Sequence, residues 1–375
     1  MSRPTAAYVD LDNISFNINS IKKHVGSTKI MCMVKADAYG HGLIPVAKVC
    51  AKEGAYALGV ATVEEGVALR NAGITLPILC VGACFESSHE DAVRYDITQT
   101  LYGADCLDAL SRACKRLNKR ATVHVKIDSG MARLGVQSEQ EMCELLDALK
   151  EHPEVELTGA FTHFATSDCL DKSFTDIQAA LFDKMLEILK QHGYGNIIRH
   201  ASCSGATIDC PSLYYDMVRP GIALYGYYPS NEVNKAALPL RPALRWETRL
   251  TQVKTVKKGQ SIGYGRSYFA DKDMRIGVLP VGYGDGYRRG NSNKGYCIIN
   301  GSRANIVGRV CMDQLMVDIT DIEGATEGAL VTLIGAQGEE HIYADEMAEI
   351  CDTISYEILL NISKRVPKVY CGRTP

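Results

Sequence analysis

The sequence predicts an α/β fold: an N-terminal (β/α)8 barrel of the TIM type, followed by a mostly β C-terminal domain. Three observations predict it. Short apolar runs alternate with helical patterns through the first part of the chain, which is the signal of parallel β/α units. The texture turns to β after Pro229-Ser230. Residues able to do chemistry recur just after the apolar runs, the end of a barrel where chemistry sits.

The apolar runs fall at 30–35, 57–61, 77–81, 97–100, 122–128, 157–163, 197–202 and 216–219. Eight such runs with helices between them suggest a closed barrel; a doubly wound sheet gives a similar alternation. Helical patterns occupy 104–117, 139–149 and 173–190, the last with Ile177, Leu181, Met185 and Leu189 at helical spacing. Beyond them, 246–256, 275–280, 296–299, 303–310 and 330–334 read as strands. Asn300-Gly301 between two of them is a hairpin signal. A helix at 344–350 and an amphipathic tail close the chain. The linker lies near 229–243, where Leu238-Pro239-Leu240-Arg241-Pro242 reads as stiff, so the domains are 1–235 and 236–375. No internal repeat and no low-complexity segment is visible.

Composition narrows the function. A chain of 375 residues buries about three quarters of its unfolded surface and needs no covalent staples. A net charge of -3 suggests neither nucleic acid nor an anionic membrane surface as partner. No apolar run approaches the ~20 residues that span a bilayer. Met1-Ser2-Arg3-Pro4 has no apolar core, so no signal peptide is expected. Fourteen cysteines, none in a Cys-x-x-Cys pair, fit free thiols in a reducing cytoplasm and no metal site.

The most informative segment is Val34-Lys35-Ala36-Asp37-Ala38-Tyr39-Gly40-His41-Gly42. It sets Lys35 at the end of the first apolar run, ahead of a glycine-punctuated turn and a helix that starts after Gly42. Lysine is rarely buried unless it is paired or used. In a partly dry pocket its pKa falls and it becomes a nucleophile toward an aldehyde, which is how pyridoxal 5'-phosphate is held. A surface lysine at a strand end is the plain alternative.

Other candidates share that address. Lys126 lies in the fifth run, followed by Asp128-Ser129-Gly130-Met131-Ala132-Arg133-Leu134-Gly135. His163 ends the sixth, Ser202-Cys203-Ser204-Gly205 follows the seventh, and Arg219-Pro220-Gly221-Ile222 follows the eighth. Singly, His163 reads equally as a core histidine, Arg133 as a loop charge and Ser204 as a helix cap. Together they suit a phosphate cradle, which this fold builds after strands seven and eight. Ser204 offers a hydroxyl, Gly221 and Ile222 offer backbone N–H groups, and Tyr39 adds a phenol. Neutral donors and dipoles suffice to hold a phosphate.

Five blocks, at 34–42, 128–135, 218–226, 263–264 and 309–314, resemble the alanine racemase family, and with their spacing they cover nearly the whole chain. The resemblance implies a pyridoxal-phosphate enzyme with a barrel, a β domain and a head-to-tail homodimer with shared active sites. It implies interconversion of L- and D-alanine, with D-alanine supplied for peptidoglycan. Lys35 would carry the cofactor covalently. Tyr39, Ser204, Gly221, Ile222 and Tyr356 would hold its phosphate, His163 would lie against the pyridine ring, and Arg219 would face the ring nitrogen. Arg133 would bond the phenolic oxygen and help seat the substrate carboxylate. Arginine has no acceptor, so it favours an unprotonated ring nitrogen and a weak electron sink. That suits racemisation and disfavours transamination or decarboxylation. The alternative is that Arg219 merely pairs with a carboxylate such as Asp216.

Racemisation needs a second base. In the family it is a tyrosine of the partner subunit, and Gly263-Tyr264-Gly265 matches that position; a plain Gly-Tyr-Gly turn is the alternative. A free tyrosine titrates near ~10, so nearby positive charge, from Arg219 through His163, would have to tune it. Cys311-Met312-Asp313-Gln314 resembles the family's substrate-access segment. Met312 would offer its N–H to the substrate carboxylate and Asp313 would narrow the mouth, with Tyr283 close by; a β-turn is the alternative. Lys126 matches a lysine often carbamylated in the family, where it orients the arginine corresponding to Arg133; a plain ion pair with Asp128 or another acid is the equal alternative. One departure is Cys203, where members commonly carry Asn before the phosphate serine.

Three rival functions remain at this stage. A serine racemase on the same scaffold is nearest, because Tyr356 and Met312 leave little room beyond a methyl and an apolar pocket rejects a hydroxyl only weakly. A non-catalytic pyridoxal-phosphate carrier needs neither the β domain nor Tyr264. A decarboxylase needs a glycine-rich phosphate run and an acidic ring-nitrogen partner, and neither is seen.

Overall fold

The structure, a computed structural model, describes residues 3–372; Met1 and Ser2 of the N-terminal reading lie outside them. The chain forms two compact units. One comprises Ile14–Ala38 and Leu43–Arg241; the other comprises the N-terminal segment to Asn13, Tyr39–Gly42, and the chain from Pro242 onward.

The first unit is a nearly closed parallel barrel, not a doubly wound sheet. Its strands are β1 Lys29–Met33, β2 Ala57–Val60, β3 Ile78–Cys80, β4 Thr98–Leu101, β5 Ala121–Lys126, β6 Val155–Phe161, β7 Ile198–His200 and β8 Met217–Val218. They pair in the order β7-β6-β5-β4-β3-β2-β1-β8. The seam between β7 and β8 is bridged where Asp216 N–H donates to the Arg199 carbonyl at 3.0 Å and Arg219 N–H to the Ser202 carbonyl at 2.8 Å. Strands covered on both faces must be apolar throughout, and Ile30, Met31, Cys32 and Met33 are all buried.

Outer helices cover the barrel with one apolar stripe each. Glu139–Lys150 starts at Ser138, whose hydroxyl accepts the Glu141 N–H at 3.2 Å. It buries Met142, Leu145, Leu146 and Leu149, spaced by three and four residues. These join Val123, Val125 and Ile127 in one cluster; each buried leucine contributes roughly 1.5–3 kcal/mol.

The second unit is mostly β. Its largest sheet runs Ser302–Asn305, Tyr296–Ile299, Leu330–Gln337, Leu244–Arg249, Ala6–Asp10 and Lys368–Cys371, with Glu340–Ile342 paired to Leu330–Gln337. A three-stranded sheet joins Gln252–Val256, Met274–Leu279 and Leu315–Asp318. The hairpin forms as expected: Asn300 and Gly301 both have positive φ, 49° and 73°, and Ile299 faces Ser302.

Three differences from the sequence reading have physical causes. The run 246–256 divides because the chain leaves the large sheet at Arg249 and enters the smaller one at Gln252. The run 303–310 stops as a strand at Asn305, and Gly308 with φ 81° turns the chain away. Ala6–Asp10 lies in the stretch read as barrel. It pairs instead with Leu244–Arg249 and, in parallel, with Lys368–Cys371, so the amphipathic tail ends as a strand. Partners so remote in sequence leave no local signal. All fourteen cysteines are free. No helix among the described residues is long and apolar enough to cross a membrane.

Candidate active site

In the barrel unit, the candidate residues gather at the C-terminal ends of the strands. Lys35 follows β1 by two residues, Lys126 is the last residue of β5, and His163 follows β6 by two; Ser202–Gly205 and Arg219–Ile222 leave β7 and β8. Burial pushes the Lys35 amine below its ordinary value, and the charge of Arg133 pushes it the same way.

The turn after Lys35 is built from an unusual backbone. Ala36, Asp37 and Ala38 have φ of 53° and Tyr39 has 52°, a left-handed stretch of non-glycine residues. Each costs about 1–2 kcal/mol, so fixed partners must hold them. Glu65 accepts the Ala36 N–H at 2.6 Å and the Ala61 N–H at 2.8 Å, and Asp37 accepts the Leu43 N–H at 2.8 Å. The helix Leu43–Lys52 then begins where the sequence places it. In the β unit, Gly40 meets a steric demand: a Cβ there would lie 2.7 Å from the Leu359 carbonyl oxygen.

The loop after β5 is organised by Asp128. Its carboxylate accepts the N–H groups of Gly130, Met131, Ala132 and Arg133 at 2.8–3.1 Å. Burial alone would raise that carboxyl, but the four backbone bonds outweigh it and hold it below the usual carboxylate range. Asp128 is thus occupied by its own loop, and the Lys126–Asp128 ion pair does not form. Lys126 Nζ donates to the Ile127 carbonyl at 2.7 Å instead. Burial, with Arg219 adding to it, lowers Lys126 to about 7.

Arg219 does not pair with Asp216, which is taken by Arg199 at 2.8 Å. Its guanidinium donates to the carbonyls of Thr162 at 2.7 Å and Ala201 at 3.0 Å, to His200 Nδ1 at 3.0 Å and toward His163 Nδ1 at 3.4 Å. Burial lowers it to about 10, so it stays charged at neutral pH. His163 is pushed well below its ordinary value by burial and then by Arg219, Arg133, Lys126 and Lys35, and is neutral.

Ser204 Oγ accepts the N–H groups of Gly221 at 2.9 Å and Ala223 at 3.3 Å, so the loops after β7 and β8 converge on one hydroxyl. Cys203, the departure from the family pattern, contacts Ser167 Oγ at 3.2 Å and gives the helix Ser204–Asp209 no side-chain cap.

The β unit carries the remaining candidates. Tyr39 and Tyr356 pack with ring centres 5.8 Å apart. Tyr264, Tyr283 and Met312 are exposed, Tyr264 by 70%. The Tyr283 and Gly284 N–H groups donate to the Cys311 and Met312 carbonyls at 3.0 and 2.8 Å, so the two loops form one surface. Asp313 pairs with Arg365 at 2.8 Å.

Sequence reasoning missed Glu65, Thr162, His200 and Arg365. Glu65 had a signal in the capping-box spacing Thr62-x-x-Glu65, although only the Thr62 hydroxyl half forms and the Glu65 carboxylate accepts from Ala36 and Ala61 instead. His200 stood inside a strand run without being singled out. Thr162 acts through its carbonyl, which any residue has, and nothing marked Arg365.

The site fits pyridoxal phosphate on its own chemistry. A depressed lysine amine suits an aldehyde. The charges of Arg133 and Arg219 disfavour the charged forms of Lys35 and Lys126, so an anion placed among these groups is welcome. A barrel with these groups at its strand ends defines a lysine-based cofactor enzyme. Comparison with known proteins agrees. Residues 9–229 match the alanine racemase N-terminal domain and 243–370 the C-terminal domain. The chain is 42% identical to an alanine racemase of Clostridium novyi (strain NT), over 98% of this chain and 95% of that one. It superposes on the solved alanine racemase of Clostridium difficile 630 with a TM-score of 0.93, at 41% identity over 99% of this chain and 96% of that one. For the Bacillus anthracis alanine racemase with bound L-Ala-P the TM-score is 0.94, at 36% identity over 100% of this chain and 96% of that one. The chain belongs to the alanine racemase family. The reaction is that of an amino-acid racemase, an isomerase, acting on alanine with pyridoxal phosphate.

Proposed function

We propose that this racemase works by two bases, Lys35 on one face of the substrate α-carbon and Tyr264 of a second copy on the other. The observation that carries the proposal is the contrast between them: the Lys35 amine is half-buried and lowered among cations, while Tyr264 stands exposed on the β unit. Pyridoxal phosphate, when bound, supplies the electron sink that makes the α-proton acidic. Lys35 Nζ and Tyr264 Oη would each remove or return that proton, so either enantiomer is substrate and product in turn.

The other residues hold and orient. Ser204, Gly221 and Ile222 would take the phosphate, with Tyr39 and Tyr356 as phenolic donors. His163, kept neutral, would lie against the ring, and Arg219 would donate to the ring nitrogen, keeping it unprotonated. Arg133 and the Met312 N–H would seat the substrate carboxylate, and Tyr283 and Asp313 would narrow the access. Lys126, lowered to about 7 and donating to the Ile127 carbonyl rather than to a carboxylate among the described residues, is the amine that carbon dioxide would carbamylate. In this reading, 1–235 holds the cofactor and 236–375 completes the site of a second copy in a homodimer. Its place would be the cytoplasm, supplying D-alanine for peptidoglycan.

The test is incubation of the purified protein with pyridoxal phosphate and L-alanine, followed by chiral chromatography. D-alanine should rise to parity with L-alanine. Racemisation of serine faster than alanine would move the substrate assignment to the rival reading.

A further inference from the structure

The barrel interior, which is usually filled by branched apolar side chains, here carries a polar line. His124 on β5, His200 on β7 and Arg219 after β8 are 7%, 0% and 4% exposed. His124 Nδ1 lies 2.9 Å from His200 Nε2, and His200 Nδ1 lies 3.0 Å from Arg219. The direction of the hydrogens follows from one fact. Arginine only donates, so His200 Nδ1 must accept. A neutral His200 then carries its proton on Nε2 and donates it to His124 Nδ1, and a neutral His124 carries its own on the outer Nε2. Burial, with the Arg219 charge behind it, pushes both rings far below their ordinary values, so both are neutral.

The fold holds both rings in place. Register between β5 and β6 shifts between Val123 and His124, leaving Thr158 as an extra residue; such bulges re-aim a side chain. His124 then lies beside Gly159, where a Cβ would come within 2.5 Å of its ring. His200 stacks on Phe161, ring centres 5.0 Å apart at 5°. Under His124 is a cavity of about 150 Å³, lined also by Thr98, Thr122, Thr158 and Tyr56. It has room and polar partners for water, so the outer N–H of His124 can be solvated.

We propose that His124 is a positioning residue for racemisation: by accepting the His200 Nε2–H it fixes the tautomer whose Nδ1 receives Arg219, and so aims the guanidinium. The inference rests on the role given to Arg219 above. Without His124, the buried His200 donor is unsatisfied. A rotated or retautomerised ring then presents N–H to an arginine that cannot accept.

The experiment is nitrogen-15 NMR of histidine-labelled, cofactor-loaded full-length protein, with kinetics and the cofactor absorption spectrum of His124→Leu and His124→Gln. In the wild type both buried histidines should be Nε2–H tautomers. His124→Leu should mix the tautomers of His200, shift the spectrum and lower kcat about tenfold, with KM changed less than about twofold. His124→Gln, whose amide oxygen accepts, should recover kcat to within about threefold. An Nδ1–H His200 in the wild type overturns the proposal, and that spectrum decides even if His124→Leu does not fold. A His124→Leu protein with wild-type tautomers, spectrum and kcat also overturns it. Wild-type protein with the expected tautomers but no racemisation would break the functional reading and leave the relay standing.

Discussion

The barrel unit and the β unit carry candidate groups of opposite character. In the barrel, Lys126, Asp128, Ser204 and Arg219 are buried, and each is committed to backbone or side-chain bonds given above. In the β unit, Tyr264, Tyr283 and Met312 stand 70%, 43% and 53% exposed. Burying a cation or carboxylate is costly unless its bonds are fixed in advance, and Asp128 with its four N–H donors shows how that is met. A large aromatic or Met side chain in water carries the opposite burden and gains by being covered. The first pattern suits a site that holds a charged cofactor still; the second suits the covering by a second copy proposed above.

Removing Lys35 breaks the contrast most severely. Lys35→Ala should cut racemisation by at least about 10⁴-fold. In the wild type, borohydride reduction followed by peptide mass spectrometry should find the cofactor fixed at Lys35; an adduct elsewhere would refute the assignment. Tyr264→Phe should cost roughly 10²–10⁴-fold in kcat while leaving the bound-cofactor spectrum unchanged. Near-normal turnover would remove the two-base scheme.

A smaller effect sharpens the account of the barrel. Lys126 is lowered by burial to about 7, while the unfolded chain keeps an ordinary lysine. Between those two values the unfolded state binds more protons, so stability rises with pH across the window, from about 7 to about 10.4. Lys126→Met should therefore stabilise the protein kept free of carbon dioxide at neutral pH, and the gain should shrink toward pH ~10. Urea melts at the two pH values check it; a gain that does not depend on pH would show that the amine is not buried as a charge.

Much of the barrel was legible because its strands are short apolar runs, five of them ending near a candidate site residue. Lys35, Lys126, Ser204 and Arg219 all stand at the ends where periodicity and turn residues put them. What stayed hidden depends on remote pairing. Ala6–Asp10 reads as an ordinary segment, and only its partners at the other end of the chain make it a sheet strand. The left-handed turn at Ala36–Tyr39 was equally hidden, since alanine does not announce positive φ; Glu65 and Asp37 hold it by bonds that no spacing reveals. That Lys126 does not pair with Asp128, nor Arg219 with Asp216, follows from the groups those carboxylates already hold, a matter of geometry alone.

The central claim, that Tyr264 acts in a second copy of the chain, is tested most directly by subunit complementation. Lys35→Ala and Tyr264→Phe proteins, each inactive alone, are unfolded together, refolded as a mixture and assayed for D-alanine. Random pairing makes half the dimers mixed, each with one intact site, so about a quarter of wild-type activity should return. A mixture as inactive as its parents would contradict the claim and place both bases in one chain.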